Sequence, residues 1–294
     1  MDYQSPRKEL RVMEPQQQIP YISVVVAVRN GAKTLRRCIG SFSRQTFRRK
    51  ELLVMDGAST DGTVALLSEN AGVISYWESE ADRGLCHAWN KALGHIKGEW
   101  ICFLGADDYL WQENVLELAA KELSPLYPEF RVAYGPIYRV TENGDVLEKV
   151  GAPWRQVKNA FRQVMAIPHQ GVFHHRSLFE AHGCFDETFK ISGDYELLLR
   201  ELKAGDAHYL ADIVIAGMQR GGMTGRPEHG LMLLREIERA RKRNGISGFK
   251  PIWAFDFFRS WSRSVLRRAV GRRASDGIAD LYRTCIGKPR IWTR

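Results

Sequence analysis

Between residues 21 and 108 the chain meets one pattern four times: a short apolar run followed at once by a polar break rich in Asp, Asn and Gly. Ile22-Ser-Val-Val-Val-Ala-Val28 lies between Pro20 and Asn30-Gly31, and a nearly continuous β-branched run of this length reads as a strand buried on both faces. Residues 32–45 follow with helical apolar spacing through Leu35, Ile39 and Phe42. Next come a strand over 51–55, a helix opened by Ser59-Thr60-Asp61, and a strand over 73–77. A helix over 85–96 and a strand over 100–104 complete the series. Strands alternating with helices across short loops predict an α/β fold, a mostly parallel sheet flanked by helices. Such sheets bind ligands at the carboxyl ends of their strands. The residues there are Arg29-Asn30-Gly31, the stretch from Asp56 to Gly62, the stretch from Glu78 to Gly84, and Gly105-Ala106-Asp107-Asp108. One such cluster is ordinary turn and cap chemistry. Four at one rim predict a site.

The second half is less regular. A strand is expected over 132–134, a hairpin over 138–150 turning at Asn143-Gly144, and a strand over 171–174. A helix should open at Ser192-Gly193, strands should fall near 208–210 and 212–216, and a charged helix over 228–244. The intended division is a disordered leader over 1–20, a catalytic domain over 21–228, and a basic helical extension over 229–294. Charge supports the last boundary. From Arg235 to Arg294 there are 16 Lys/Arg against 5 Asp/Glu, whereas the rest of the chain holds 27 basic and 29 acidic residues. The basicity belongs to the tail, which removes the main support for nucleic-acid binding. The cysteines are odd in number and scattered without a CxxC pair, which fits free thiols in a reducing cytoplasm rather than a disulfide framework or a zinc site. The first 20 residues lack the apolar core of a secretion signal.

Asp107-Asp108, at the end of a buried strand after two small residues, forms a compact oxygen site. Mg²⁺ or Mn²⁺ takes one or two protein carboxylates and fills its shell with water and diphosphate oxygens, neutralising a diphosphate leaving group. The bland alternative is a helix cap at Asp108. Four segments decide in favour of a ligand site when taken together: Ser-Val-Val-Val-Ala-Val-Arg-Asn, Val-Met-Asp-Gly-Ala-Ser-Thr-Asp-Gly-Thr, Asp-Arg-Gly-Leu-Cys-His-Ala-Trp-Asn-Lys-Ala-Leu and Gly-Glu-Trp-Ile-Cys-Phe-Leu-Gly-Ala-Asp-Asp. In order and spacing they resemble glycosyltransferase family 2, the large inverting family with the GT-A fold that serves, among other roles, bacterial cell-surface polysaccharide and glycolipid assembly.

The resemblance implies a nucleoside-diphosphate-sugar donor gripped by Ala27, Arg29, Asn30 and Asp56. It places Asp82, Gly84 and Asn90 near nucleotide and sugar, and matches Asp107-Asp108 to the family's DXD-type metal motif, with Asp108 the direct ligand. This chain has Ala27-Val28-Arg29-Asn30 where Pro-Thr-Tyr-Asn is commoner, so a base-stacking tyrosine is missing. By the same resemblance Asp194, in Ser192-Gly193-Asp194-Tyr195-Glu196, is the base that deprotonates the acceptor hydroxyl. Inversion needs that base on the sugar face opposite the leaving diphosphate, away from the metal carboxylates. Glu196 is the fallback unless it pairs with Arg200 at i,i+4, and His169 of Pro168-His169-Gln170-Gly171 is an additional candidate. His174 and His175 read as ordinary strand residues.

The stretch from Arg220 to Arg226 could be a Gly-hinged lid or an ordinary loop. Between residues 253 and 273 a helix would carry Trp253, Ala254, Phe257, Phe258, Trp261 and Val265 on one face and Arg259, Arg263 and Arg267 on the other. That pattern suits an anionic membrane interface; the alternative is a helix packed on the domain or on a partner. The expectation is a peripheral enzyme at the inner face of the cell membrane, acting on a lipid-linked or other saccharide acceptor and on no nucleic acid. Two rivals remain: a sugar-phosphate nucleotidyltransferase, which needs a Gly- and Lys/Arg-rich phosphate loop after the first strand, and a non-enzymatic basic membrane- or nucleic-acid-binding protein acting through its tail.

Overall fold

The computed structural model describes residues 19–220, 229–246, 251–285, 287 and 290, and within 251–285 the side chains of only some positions. The leader, apart from its last two residues, and the proposed lid beyond Arg220 therefore lie outside the described residues. So do the aromatic and arginine side chains expected to divide the tail helix.

The core is a sheet of seven strands. In chain order they are β1 (Ile22–Val28), β2 (Lys50–Asp56), β3 (Tyr76–Ser79), β4 (Trp100–Gly105), β6 (Val132–Tyr134), β9 (Val172–His175) and β10 (His208–Tyr209). They lie side by side as β10-β6-β9-β4-β1-β2-β3. β1 pairs in parallel with β2 and β4, β2 with β3, and β10 with β6, whereas β9 runs antiparallel between β4 and β6. The predicted mostly parallel sheet is present, with one strand reversed. β1 is the central strand that its composition demands: Ile22, Val24, Val25 and Val26 have no exposed surface. Even-numbered residues of β1 pack on one face with Leu35, Ile39 and Phe42 of α1 (Leu35–Ser43); Val25 packs on the other with Ala88 and Trp89 of α3 (Leu85–Leu93).

Boundaries moved where sequence periodicity is weakest. The third strand begins at Tyr76, three residues later than expected, and the strand expected over 212–216 is β11, Ala216–Gln219. β11 belongs to a second, smaller sheet ordered β5-β11-β7-β8, with β5 at Tyr109–Leu110, β7 at Ile137–Val140 and β8 at Val146–Val150. The hairpin β7–β8 turns where predicted, with Gly144 at φ 93°. Also present are α2 (Thr63–Glu69), α4 (Val115–Leu123), α5 (Trp154–Phe161), α6 (Arg176–His182), α7 (Gly193–Leu202), α8 (Gly230–Arg243) and α9 (Pro251–Cys285).

Ile237 and Ala240 of α8 join the same apolar cluster as Trp89, Phe185 and Tyr195, so α8 packs against α3 and α7. One expectation about the C-terminal part changes. The helix expected over 253–273 is broken at Gly271, whose φ of 80° and ψ of 170° no helix contains. Cys38, Cys86 and Cys102 are buried, Cys184 and Cys285 exposed, and all five are free. Among the described residues no helix is long and apolar enough to cross a membrane.

Candidate active site

The carboxyl ends of β1, β2, β3 and β4 share one rim because these strands run parallel and in register. Asp56 ends β2 with no exposed surface. Its carboxylate accepts from the Ser59 amide (3.0 Å), the Ser79 hydroxyl (2.6 Å) and the Ser59 hydroxyl. Asp56 therefore shapes the loop. The loops after β1 and β2 are laced together: the Asn30 amide donates to Ser59 Oγ (2.6 Å) and the Thr60 amide to Asn30 Oδ1 (2.8 Å). Asn30 holds φ at 54° to do so, a left-handed conformation that Asn tolerates better than most residues. Arg29 is exposed and Ala27 half-buried beside it. A methyl group placed on Gly57 would touch Asp82 Oδ2 at 3.1 Å and Arg29 Cβ at 3.5 Å, so Arg29, Gly57 and Asp82 border one cleft.

Asp82 is not a free carboxylate. It pairs with Lys91 Nζ at 3.0 Å and His87 Nδ1 at 3.2 Å, both from α3, and Lys91 also meets Glu78 at 2.8 Å. Burial opposes the Lys91 charge, but Glu78 and Asp82 prevail and hold its pKa above the usual value. Gly84 caps α3 at φ 143° and faces Lys190. The structure gives Asn90 a different task from the one expected. Its amide donates to the Phe185 carbonyl (2.9 Å) and to Glu187 (3.2 Å) and accepts from the Phe185 amide (3.0 Å). These bonds fix the loop before α7.

Asp107 and Asp108 fold back over Gly105. A methyl group there would lie 2.7 Å from Asp107 Oδ1 and 2.8 Å from Asp108 Oδ2, so only glycine lets both oxygens crowd one point. Asp108 accepts from the Gly105 amide (3.1 Å), the Gln219 amide of β11 (3.1 Å) and the Gln170 side chain. Burial, then the charge of Asp107, pushes the pKa of Asp108 up to about 7; burial raises Asp107 as well. Arg37 of α1 donates to the Asp107 carbonyl (3.1 Å) and Gln219 Oε1 (2.6 Å), and its guanidinium lies 4.4 Å over the Tyr109 ring. It braces the backbone, and its charge partly offsets the effect of burial on Asp107. A crowded, desolvated acidic pair fits a divalent cation. No group of three or more His, Cys, Asp or Glu side chains converges among the described residues, so a cation there would draw the rest of its shell from water and diphosphate.

Asp194 lies in the first turn of α7. Its side chain is 19% exposed, and Oδ2 stands 3.8 Å from His169 Nδ1. Oδ1 accepts from the Tyr195 amide at 2.7 Å. Burial outweighs that bond and raises its pKa to about 6. His169 is buried against Trp89 and Phe103. Burial lowers its pKa to about 3, so it is neutral, and its Nε2 has no hydrogen-bond partner. Glu196 is ruled out as the fallback base: it is 4% exposed and held bidentately by Arg200 Nε at 3.1 and 3.0 Å. His174 bonds the Ile101 carbonyl and His175 accepts from the Ser177 amide; both are structural.

What unites the two carboxylate sites is the turn His169–Gly171, which precedes β9. Because β9 is antiparallel to β4, pairing Cys102 with Phe173, its beginning lies at the end of β4. Gln170 reaches Asp108 while the adjacent His169 faces Asp194. Gln170, Arg37 and Gln219 were not singled out in the sequence. Gln170 carried a signal, lying between a candidate histidine and a predicted strand; a backbone amide such as that of Gln219 carries none.

Residues 23–178 match the model of glycosyl transferase family 2. The chain belongs to glycosyltransferase family 2. A "PGL/p-HBAD biosynthesis glycosyltransferase" of Mycobacterium bovis is 27% identical over 186 residues, 62% of this chain and 69% of that protein. The "Uncharacterized glycosyltransferase MT1564" of Mycobacterium tuberculosis is 31% identical over a stretch of the same length, 62% of this chain and 68% of that protein. Among solved folds, S. aureus TarS 1–349 in complex with UDP-GlcNAc superposes with a TM-score of 0.57 at 19% identity, over 75% of this chain and 66% of that one. Against a longer TarS chain the match spans 39% of its length. Mannosyltransferase PcManGT from Pyrobaculum calidifontis, in complex with GDP-Man and Mn²⁺, gives a TM-score of 0.57 at 18% identity over 92% of this chain and 76% of that one. These likenesses establish the GT-A architecture of this family 2 member.

Proposed function

We propose that this chain transfers a sugar from a nucleoside-diphosphate donor to an acceptor hydroxyl, with inversion at the anomeric carbon. The observation that carries the proposal is the His169–Gly171 turn, one residue of which touches the acidic pair while its neighbour faces Asp194. The donor's nucleotide occupies the cleft bordered by Ala27, Arg29, Asn30, Asp56 and Asp82, with Gly84 near the sugar. Asp107 and Asp108 hold a Mg²⁺ or Mn²⁺ ion. When bound, that ion offsets the charge that builds on the departing diphosphate. Asp194 takes the acceptor proton as the acceptor oxygen bonds to the anomeric carbon and the bond from that carbon to the diphosphate oxygen breaks; the nucleoside diphosphate leaves. A pKa of about 6 leaves Asp194 ionised at neutral pH yet more basic than an ordinary carboxylate. Neutral His169 offers a wall beside it without a competing charge.

The acceptor in this reading is a lipid-linked saccharide, met at the cytoplasmic face of the membrane in polysaccharide or glycolipid assembly. The basic tail supports this, since clustered Lys and Arg are drawn to anionic lipid. The nucleotidyltransferase alternative loses ground because the loop after β1 is tied to Ser59 and Thr60 rather than forming a free basic phosphate loop. The deciding experiment is thermal unfolding with UDP-, GDP- and dTDP-sugars, with and without Mn²⁺, on the natural chain and on Asp108→Ala. A nucleotide-sugar at a hundredfold its Kd should add about 2.7 kcal/mol of stability, with the metal-dependent part lost in Asp108→Ala. No stabilisation by any donor with any metal would overturn the proposal.

A further inference from the structure

α8 lies in the part of the chain that sequence assigns to a basic tail, yet one face of it grips the loop that delivers Asp194. Glu236, Arg239 and Arg243 follow one another at i, i+3 and i+7 and so share a face of the helix. Arg243 pairs with Asp186, and Arg239 lies 3.8 Å over the Phe189 ring. Glu236, 7% exposed, accepts from three consecutive backbone amides: Lys190 (2.7 Å), Ile191 (2.9 Å) and Ser192 (2.9 Å). Ser192 occupies the cap position of α7 but makes no capping bond, and its buried hydroxyl has no partner. The usual local device for starting a helix is therefore unused, and a carboxylate from a distant helix orders the approach instead.

We propose that Glu236 is a positioning residue for the base, holding residues 190–192 so that Asp194 enters the cleft in one orientation and keeping a second negative charge near it. This rests on the reading of Asp194 as the base. The three bonds are charge-assisted and buried, hence stronger than neutral ones, and they act two to four residues before Asp194. The charge acts in the same direction as burial: both oppose ionisation of Asp194. The other titratable and charged groups of the elements around Asp194 are otherwise engaged. His169, from the turn before β9, is held near 3 by burial. The Cys86 thiol of α3, packed behind Gly193, is pushed up to about 12 by burial and then by Asp194 itself. On α7, Glu196 is locked to Arg200. The nearby Lys190 ammonium is turned to the Arg83 carbonyl. Glu236 adds its charge to burial in opposing ionisation of Asp194.

The test compares the natural chain with Glu236→Gln, Glu236→Asp and Asp194→Asn, reading the nucleotide Kd and the pH profile of kcat with donor, Mn²⁺ and acceptor saturating. Glu236→Gln should leave the nucleotide Kd within about twofold, lower kcat by about tenfold, the cost of one charged hydrogen bond, and move the acid limb to lower pH. Glu236→Asp, which keeps the charge but shortens the reach, should lower kcat with the limb in place, and it decides the matter if the Gln variant does not fold. An unmoved limb in folded Glu236→Gln, or an unchanged kcat in Glu236→Asp, overturns the inference. If Asp194→Asn itself transfers normally, the base assignment fails first; if it is inactive while Glu236→Gln behaves as the natural chain, only the role of Glu236 fails.

Discussion

Burial of Asp194 makes a quantitative claim about catalysis below neutral pH. Its pKa is raised from 3.8 to about 6, chiefly by desolvation, and only an ionised carboxylate accepts the acceptor's proton. With that pKa, Asp194 is ionised in about nine-tenths of the molecules at pH 7 and about one-tenth at pH 5, so with Asp194 as the proposed base kcat should fall about tenfold between them. A carboxylate left at its ordinary value would lose less than about a tenth of its ionised form over that span. The assay is radiolabelled or mass-resolved sugar transfer under single-turnover conditions from pH 4.5 to 8.5. Two other groups could imitate the limb. His169 is removed by its own burial, which places it near 3, so His169→Gln should keep the limb. Asp108, pushed up to about 7, would give a limb that moves with Mn²⁺ concentration, because metal and proton compete for it; a limb owned by Asp194 does not move. A limb below pH 4.5 at all metal concentrations, or an Asp194→Asn variant retaining more than a tenth of kcat, would refute the reasoning.

The same burial has a cost in stability. A carboxylate whose folded pKa exceeds its unfolded one contributes stability that is present below about pH 4 and lost as pH rises to about 6. Asp194→Asn should therefore stabilise the protein by up to about 3 kcal/mol at pH 7.5, with the gap in Tm closing at pH 4; a variant less stable at both pH values contradicts this. Asp56→Ala strands two hydroxyls and an amide and should cost about 3 kcal/mol by chemical denaturation, together with nucleotide affinity. A side chain at Gly193 would put Cβ 2.2 Å from Cys86 Sγ. Gly193→Ala should thus cost about 1–3 kcal/mol and lower kcat, and adding Cys86→Ala should restore most of both; failure of that rescue would mean the contact is not what forbids a side chain.

Legibility followed periodicity and locality. The strand Ile22–Val28 was read to the residue because a β-branched run between Pro20 and Asn30-Gly31 has one reading, and Asp56, Asp107 and Asp108 were found because parallel strands must end at one rim. β5 and α4 were not anticipated: Tyr109–Leu110 is too short to show a period, and the smaller sheet forms from segments far apart in the chain. Asn90 was matched to a motif whose residue type is right, but the atoms it bonds belong to Phe185, some 95 residues away. Glu236 sits in a stretch whose composition speaks only of charge. Nothing local distinguishes a glutamate bonded to three amides from one in water, since the amides it serves lie about 45 residues earlier.

The reversed strand explains how distant residues come to share one task. Had β9 been parallel to β4, its beginning would lie at the opposite edge of the sheet from Asp108, and neither His169 nor Gln170 could reach the rim. Reversal places the turn before β9 between the metal-type pair and the helix that bears Asp194, so that one short segment sets their separation. A displacement at a single carbon demands a fixed separation between the group that takes a proton and the group that holds the leaving charge, to within a fraction of an ångström. Here both ends are tied down by hydrogen bonds. Asp108 is tied to Gly105, Gln170 and Gln219, while the loop before Asp194 is tied to Glu236 and Asn90. α8 thus holds the loop that bears Asp194, and on the proposed reading the site draws on residues out to Arg243.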